Sequence, residues 1–444
     1  MEPNPTETCV YAVGNYLRGV SQWYALSGDA RTRKTADGLA RHLLRVFDGQ
    51  APDLDDWSSM VAGREHGFFA GHFHSWTMGM IGLAEYAVAT GNPEAARCVR
   101  GFYEYARLHG IARIGFFPLW LRDIPGMKAS LLSSVVSPTE EMLAEAARGQ
   151  AGQASALPPG TPDEGCNVGD MTYLAALLSE HGLGDYWEDV DQYARNHMVE
   201  HQWTDRSLMA ELLAAHREFT PNPLWHVTTD DVLDRLVGGF SSCCEITWGT
   251  GWWTQCCNGN IPQGLYKAWA GIVRPQGDGA QVNLLLNRAS RWLDVDSHLP
   301  YEGKAVLKNK TARSASVRIP RWVNRAKVRC AVNGVERPNL WLGNYLLVRD
   351  LKPADVVTLE FPMPTTVERW TDKTYETTYA CEFRGNTLVD ISPREDRPRM
   401  QKVMMDDGAS YPLRAGYPLY RRAHMKAGRA PMKTVERYVA PRVV

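Results

Sequence analysis

From residue 10 to about residue 275, the hydrophobic positions of the chain repeat with a helical period. In the stretch 31–47, apolar side chains fall three and four residues apart and so share one face of a helix. A second stripe, 76–87, ends before Asn92, which can cap a following helix that starts at Pro93. Helices that recur in pairs around Gly-Asp or Gly-Asn turns predict stacked helical hairpins. Closed into a ring, such hairpins form an α/α toroid, and an open solenoid is the alternative.

Near residue 280 the period changes to two, which is typical of strands. The segments that alternate in this way are 280–286, 304–308, 314–319, 328–332, 345–348 and 356–361, followed by 377–383 and 387–391. Asn333-Gly334 predicts a hairpin, because both residues tolerate a positive φ. Strands spaced about ten residues apart predict an antiparallel β-sandwich.

These patterns predict a multidomain α and β protein. We expect an α/α toroid helical barrel as a catalytic domain over residues 1–275, and an antiparallel β-sandwich over residues 276–365. A C-terminal extension of strands and irregular chain, 366–444, is expected to pack on the other two domains.

Composition narrows the classes of function. Lys and Arg number 49 against 50 Asp and Glu, so no excess of positive charge predicts nucleic-acid binding. The longest apolar runs, such as 115–121, are far shorter than the ~20 residues that span a bilayer, so no membrane partner is expected. The first thirty residues lack a basic start followed by an apolar core, so we see no signal peptide and expect a cytoplasmic location. The 15 Trp and 18 Tyr supply amphipathic rings that suit stacking on sugars.

The cysteines indicate reduced thiols or a metal site. There are nine, and four of them form the adjacent pairs Cys243-Cys244 and Cys256-Cys257. An odd number with adjacent pairs is a poor disulfide framework. One interpretation joins the two pairs into a purely structural Cys₄ zinc site, and another treats the cysteines as inert buried residues.

A mixed ligand set is the interpretation that we prefer. Glu164 and Cys166 alternate along the chain, so in an extended segment both side chains leave on the same side. A carboxylate with thiolates is an established Zn²⁺ ligand set. The adjacent Cys256 and Cys257 can both reach one ion where the backbone turns sharply, as the following Asn-Gly-Asn favours.

Two further stretches carry candidate substrate contacts. His72 and His74 could both bind a metal in an extended segment, but we prefer a sugar-hydroxyl contact or a proton donor, with a structural histidine as the alternative. Trp252 and Trp253 shortly precede the second cysteine pair, so one of them could form a platform for a sugar ring. The alternative for either tryptophan is a place in the core.

The order of these motifs resembles the β-L-arabinofuranosidase group, glycoside hydrolase family 127. The resemblance covers most of residues 65–365. It rests on Glu164-x-Cys166, the turn Gly184-Asp185-Tyr186-Trp187, Cys256-Cys257-x-x-Asn260, and Val317-Arg318-Ile319-Pro320-x-Trp322 followed by Asn333-Gly334.

The resemblance implies one Zn²⁺ held by Glu164, Cys166, Cys256 and Cys257, with Cys256 also acting as the nucleophile. A free thiol with a pKa of ~8.5 is mostly protonated at neutral pH, and Zn²⁺ removes that proton. Attack by Cys256 on the anomeric carbon would give a thioglycosyl intermediate, and water would complete a retaining hydrolysis. We therefore expect a zinc-dependent glycosidase with a carbohydrate substrate, and a homodimer is a candidate assembly.

The general acid of that family does not stand in its usual place. Family members of known activity carry a glutamate on the loop before the Glu-x-Cys motif, but the loop 149–162 contains no carboxylate here. We predict that the proton comes from the segment 65–74, with Glu65 and His74 as candidates. Because that residue is unassigned, two other functions stay open: a carbohydrate lyase or epimerase, and a non-catalytic sugar-binding protein with structural zinc.

Overall fold

The structure is a computed structural model that describes residues 10–47, 71–117, 120–121, 164–204, 206–207, 209–210, 231–240, 256–372, 377–393, 400–404 and 410–414. Helices dominate the part of the chain before residue 273. They are α1 (Val10–Ser27), α2 (Ala30–Phe47), α3 (Phe73–Thr90), α4 (Pro93–Leu108), α5 (Gly165–Glu180), α6 (Trp187–Arg195), α7 (His197–Glu200), α8 (Val232–Leu236) and α9 (Cys257–Ile272). Within these ranges, no helix combines the length and the apolar character needed to cross a bilayer.

The start of α4 shows why the predicted helices form where they do. The Asn92 side chain accepts a hydrogen bond from the Ala95 backbone N–H at 2.9 Å, and Pro93 occupies the first helical position. A backbone N–H that has no partner inside the helix is thereby satisfied, and the proline has no N–H to leave unpaired. Val99 and Phe102 on the apolar side of the helix are fully buried. The predicted cap is confirmed.

Helices α5 and α9 approach each other unusually closely because glycines face each other across their contact. A Cβ built on Gly264 would lie 2.3 Å from the carbonyl oxygen of Gly169, and one built on Gly169 would lie 2.9 Å from the Asn260 carbonyl oxygen. Any side chain larger than hydrogen would push the helices apart. This contact brings the N-terminal ends of both helices, which carry Cys166 and Cys257, to the same place.

The second half of the described chain forms sheets. Its strands are β3 (Val273–Gln276), β4 (Gly279–Val282), β5 (Leu293–Ser297), β6 (Lys304–Asn309), β7 (Ala315–Arg318), β8 (Arg329–Val332), β9 (Val335–Arg337), β10 (Leu340–Leu342), β11 (Tyr345–Val348), β12 (Val356–Glu360), β13 (Thr365–Asp372), β14 (Thr377–Arg384), β15 (Thr387–Ser392), β16 (Met400–Met404) and β17 (Ser410–Arg414). A small pair, β1 (Gly71–His72) and β2 (Trp120–Leu121), lies within the helical part.

Two five-stranded sheets follow α9, with the orders β10-β11-β7-β4-β3 and β5-β6-β12-β8-β9. Their pairs are antiparallel except for β4 and β7, which run parallel. The predicted hairpin between β8 and β9 is confirmed: Asn333 has φ 50° and Gly334 φ 79°, and Val332 pairs with Val335. The buried residues of both sheets belong to the same hydrophobic core as those of the helices.

A third sheet, β13-β14-β15, is tied to the helices by a buried polar contact. The side-chain amide of Asn386, at the turn before β15, donates to Glu188 at 2.7 Å and to Asp191 at 2.8 Å in α6. Glu188 also accepts from Arg318 of β7 at 2.7 Å and from the Arg321 backbone N–H at 3.1 Å. Two different sheets therefore satisfy one buried carboxylate of the helical part.

The structure agrees with the broad division of the chain into a helical part and a stranded part. The last residue of α9 is Ile272, and strand β3 begins at Val273. The three-domain division stays a prediction, and the loop 149–162 and the last thirty residues, 415–444, lie outside the described residues.

Candidate metal centre

Four predicted ligands meet at the N-terminal ends of α5 and α9. One donor atom from each of Glu164, Cys166, Cys256 and Cys257 lies within 4.8 Å of the others. The Cys166 sulfur is 2.9 Å from that of Cys257 and 3.4 Å from that of Cys256, and the last two are 4.0 Å apart. Glu164 Oε1 is 3.7 Å from both Cys256 Sγ and Cys257 Sγ. These three cysteines form no disulfide bond with one another.

The local backbone explains this convergence, in part differently from the prediction. Glu164 is extended, with φ −135° and ψ 131°, but α5 begins at the next residue. The expectation of an extended segment through Cys166 is therefore wrong: Cys166 lies in the first turn of α5. Cys256 has helical dihedral angles, φ −53° and ψ −33°, just before Cys257 opens α9, so the expected sharp turn between the two cysteines is a helix start.

The donor set fits Zn²⁺ in its chemistry and, to within a few tenths of an ångström, in most of its spacings. In a tetrahedral site, Zn–S bonds of ~2.3 Å place two sulfurs roughly 3.8 Å apart, and a sulfur and an oxygen roughly 3.6 Å apart. The distances of 3.7 Å from Glu164 Oε1 to the Cys256 and Cys257 sulfurs match the sulfur–oxygen value. Two of the sulfur–sulfur distances, 3.4 Å and 4.0 Å, lie on either side of the sulfur–sulfur value, and the third, 2.9 Å, is shorter. All the sulfur–sulfur distances exceed the ~2.05 Å of a disulfide bond.

The electrostatics of the cluster favour a cation. Burial raises the pKa of the Cys166 and Cys257 thiols, and the neighbouring Glu164 carboxylate acts in the same direction. Several acidic groups that share one buried place keep their protons unless a positive charge compensates them. A divalent ion is the compensation that thiolates and a carboxylate prefer.

A buried polar chain lies next to the cluster. His74, in the first turn of α3, is 2% exposed, and its Nδ1 is 2.5 Å from Asp170 Oδ2 in α5. The Thr77 hydroxyl donates to the same oxygen at 2.5 Å. Burial lowers the pKa of His74, but the Asp170 carboxylate outweighs this, with help from Glu164 and Cys256, and raises that pKa to about 9. Nδ1 is protonated in either form and donates to Asp170.

Asn260 links this chain to the metal centre. Its Nδ2 is 3.1 Å from His74 Nε2 and 3.3 Å from Cys166 Sγ. Its Oδ1 accepts from Gln263 Nε2 at 3.3 Å, and Gln263 Oε1 accepts from Arg18 at 2.5 Å.

The N-terminal helix closes over this part of the centre. The Tyr11 ring contacts the His74 ring edge-on, with 5.4 Å between the ring centroids. Burial raises the pKa of the Tyr11 hydroxyl, and the nearby Cys256 and Cys166 add to this effect. Cys256 itself is exposed, whereas Cys166 and Cys257 are buried. The centre therefore presents one of these three sulfurs to solvent.

Other predicted site residues lie beyond what the structure describes. These are Glu65, Trp252, Trp253, Cys243 and Cys244, so their proposed roles and the Cys₄ alternative stay predictions. His72 belongs to β1, which is described for its backbone alone. Three more cysteines of the described chain, Cys98, Cys330 and Cys381, lie outside the cluster, are buried and form no disulfide bond among the described residues.

Sequence reasoning did not identify Asp170, Thr77 or Gln263 as part of the site. Asp170 lies four residues after Cys166 in a helix that is otherwise almost entirely apolar or small. A carboxylate at that spacing on a buried helix needs a partner, and this was the available signal. Thr77 carried no comparable signal in the sequence.

Comparison with solved structures shows the fold to which this arrangement belongs. A GH127 β-L-arabinofuranosidase from Geobacillus stearothermophilus T6 is similar, with a TM-score of 0.50 and 14% identity, over 91% of this chain and 72% of that one. The chain has a GH127-like fold. A glycoside hydrolase is similar with a TM-score of 0.45 and 14% identity, over 91% of this chain and 75% of that one. A GH127 β-arabinofuranosidase is similar with a TM-score of 0.32 and 13% identity, over 95% of this chain and 86% of that one.

No family model matches the sequence, and no curated protein matches it. The GH127-like fold therefore rests on the structure, together with the motif order that predicted it. The likeness extends to the fold, and the β-L-arabinofuranosidase activity is a property of the Geobacillus protein.

Proposed function

We propose that this protein is a glycoside hydrolase in which a zinc-bound Cys256 thiolate is the nucleophile and the anomeric configuration is retained. The observation that carries the proposal is the convergence of Glu164, Cys166, Cys256 and Cys257 within 4.8 Å in a chain with a GH127-like fold. The family resemblance of the sequence motifs assigns the same four residues to the metal.

The fold that we propose for this function is an α/α toroid followed by a β-sandwich. The recurrent helical hairpins support closure into a ring. The shared core of the two five-stranded sheets supports face-to-face packing.

Exposure distinguishes the roles of the three sulfurs. Cys166 and Cys257 are buried and suit structural ligands, whereas Cys256 is exposed and can meet a substrate. When bound, Zn²⁺ would supply the positive charge that keeps a cysteine deprotonated at neutral pH. Helix α9 then fixes the direction of the Cys256 side chain, which reduces the entropy lost on attack.

The reaction would proceed in two displacements at one carbon. The Cys256 sulfur forms a C–S bond to the anomeric carbon while the glycosidic C–O bond breaks and the leaving oxygen takes a proton. Water then attacks the same carbon and gives a proton to the group that protonated the leaving oxygen, while the C–S bond breaks and the sulfur leaves as a thiolate. Two inversions give overall retention.

For the proton donor we propose Glu65 first and His74 second. His74 has both ring nitrogens within 3.1 Å of protein groups, Asp170 and Asn260, and its ring is buried. It would have to exchange the Asn260 contact for the leaving group. Glu65 is a carboxylate in the predicted segment, and its residue type suits a general acid.

Covalent trapping tests the nucleophile directly. Purified protein would be incubated with 2-deoxy-2-fluoro aryl glycosides, starting with a β-L-arabinofuranoside, and its mass and peptides would be measured. We expect one added sugar mass on the peptide that contains Cys256, and no adduct in Cys256→Ser.

Cys98→Ser is the matched control, because Cys98 is a buried cysteine that lies outside the cluster and forms no disulfide bond among the described residues. This variant should label like the wild type. An adduct on an Asp or Glu, with activity surviving in Cys256→Ser, would refute the cysteine mechanism and leave an ordinary two-carboxylate hydrolase.

A further inference from the structure

The hydrogen bonds of the Asn260 side chain have a fixed direction that the proposed chemistry does not by itself require. The two ends of an amide side chain look alike, so its orientation has to be deduced from its partners. Here the chain of hydrogen bonds begins at a partner that has only one possible role, and the direction follows from it.

At one end stands Arg18, whose guanidinium can only donate. It lies 2.5 Å from Gln263 Oε1, so that oxygen is the acceptor and Gln263 Nε2 faces the other way. Gln263 Nε2 therefore donates to Asn260 at 3.3 Å, which identifies the receiving atom as Oδ1. The Asn260 nitrogen must then be the atom that faces Cys166 and His74.

At the other end stands the Asp170 carboxylate, which can only accept when ionised. It accepts the Nδ1 proton of His74, and Nε2 of the same ring lies 3.1 Å from the Asn260 nitrogen. That nitrogen also lies 3.3 Å from the Cys166 sulfur. With its oxygen facing Gln263, Asn260 therefore directs an N–H at this sulfur.

We propose that Asn260 is a positioning residue for the metal centre: its side-chain N–H donates to the Cys166 sulfur, in an orientation that Arg18 and Gln263 impose through its oxygen. The inference rests on the proposed zinc site. An N–H directed at a metal-bound thiolate withdraws charge from the sulfur and holds its lone pairs in one direction. Because Asn260 lies in α9, one turn after Cys257, it also couples the two helices that carry the ligands.

Zinc affinity of single variants tests this role. Asn260→Leu keeps the approximate size of the side chain and removes both N–H donors, so zinc binding should weaken by about 10–100-fold, as measured by competition with a chromophoric chelator. Gln263→Leu leaves Asn260 in place but removes the group that orients it, so a smaller loss in the same direction is expected.

Asn258→Leu is the matched control, because it makes the same change in the same turn of α9. Its Oδ1 accepts from the Phe240 backbone N–H at 3.0 Å and no contact joins its side chain to the sulfurs among the described residues. Zinc affinity should stay within about twofold of the wild type, a change that is small beside the loss expected for an interaction that orients a ligand.

The Co²⁺-loaded protein gives a readout that a merely structural role would not move. Loss of an N–H donor raises the energy of the sulfur lone pairs, so the sulfur-to-cobalt charge-transfer band of Asn260→Leu and Gln263→Leu should shift to lower energy. The band of Asn258→Leu should coincide with that of the wild type.

Wild-type affinity and band position in Asn260→Leu would overturn the inference and leave the zinc site intact. If Asn260→Leu does not fold, Gln263→Leu decides by the same two measurements. A wild-type protein that binds neither Zn²⁺ nor Co²⁺ would overturn the proposed function, and this inference with it.

Discussion

Replacing Gly264 by alanine should disturb the metal centre from a distance of two helical turns. The new Cβ would lie 2.3 Å from the Gly169 carbonyl oxygen and 2.9 Å from two other backbone atoms of Gly169. An ordinary contact between carbon and oxygen is about 3.4 Å, so α9 must move away from α5 by roughly 1 Å. Backbone atoms on both sides leave no flexible side chain that could yield.

The magnitude follows from the tolerance of a metal site. Ligand distances have to be correct within about 0.2 Å, which is several times less than the displacement. Glu164 precedes α5 and Cys257 opens α9, so the 3.7 Å between Glu164 Oε1 and Cys257 Sγ, which matches a zinc site, would be lost as the helices separate. We expect zinc affinity to fall on the order of 10–100-fold. In the metal-free protein, overpacking costs about 1–3 kcal/mol, of which the better helix propensity of alanine offsets about 1 kcal/mol.

The assay combines zinc competition with urea unfolding of the metal-free protein. Gly38→Ala is the control: Gly38 also lies inside a helix, α2, but a Cβ there meets nothing within 4 Å. That change should leave zinc binding unaltered and stabilise the protein by about 0.5–1 kcal/mol. Undiminished zinc affinity in Gly264→Ala would refute the argument that the glycine contact sets the ligand geometry.

Three further predictions concern the ligands, the contact between sheets and helices, and pH. We expect elemental analysis to find about one equivalent of zinc in the wild type. Cys166→Ala and Cys257→Ala should each release it, since three ligands bind far less tightly than four. Zinc retained in both variants would show that the ligand set is wrong. Asn386→Ala removes two donors from buried carboxylates and should lower the free energy of unfolding by about 2–4 kcal/mol in urea titration; a loss below about 0.5 kcal/mol, the size of an ordinary surface substitution, would contradict this. Burial lowers the pKa of His109 to about 3, below its unfolded value of 6.5, so the unfolded state binds the extra proton and stability falls as the pH drops below 6.5. Between pH 7 and pH 5 the loss from this group should be roughly 2 kcal/mol, and His109→Phe should show a correspondingly shallower decline.

The sequence predicted those elements whose local signals and tertiary packing agree. The capped helix at Asn92 and the hairpin at Asn333-Gly334 were found because a single local mechanism specifies each. Strands β9 and β10 were missed, and their partly or fully exposed residues show no alternation of buried and exposed positions. Strand β3 was missed as well, because it follows α9 directly and no loop separates the helix from the strand.

The candidate site was predictable as a set of ligands, and less so as a structure. Cysteines and a carboxylate are rare enough together that Glu164, Cys166, Cys256 and Cys257 could be selected by chemistry. The helix start at residue 165 was not anticipated, because Glu164 has no side-chain cap bond and the usual capping signal is absent. His74 was predicted as a site residue, but its partner Asp170 lies far away in the sequence and is brought to it by the packing of α3 against α5.

The buried carboxylate of Glu188 has a consequence for the synthesis of the chain. Its contacts with Arg318 and Asn386 join residues 130 and 198 positions apart. A ribosome that adds about 5–20 residues per second reaches Asn386 roughly 10–40 s after Glu188. During that interval the carboxylate lacks the groups that neutralise it, and burying it alone would cost several kcal/mol. We therefore expect the Glu188 carboxylate of α6 to stay in contact with water until these strands are synthesised. A chain released before residue 386 would lack the Asn386 contact that helps to fix α6 in the fold.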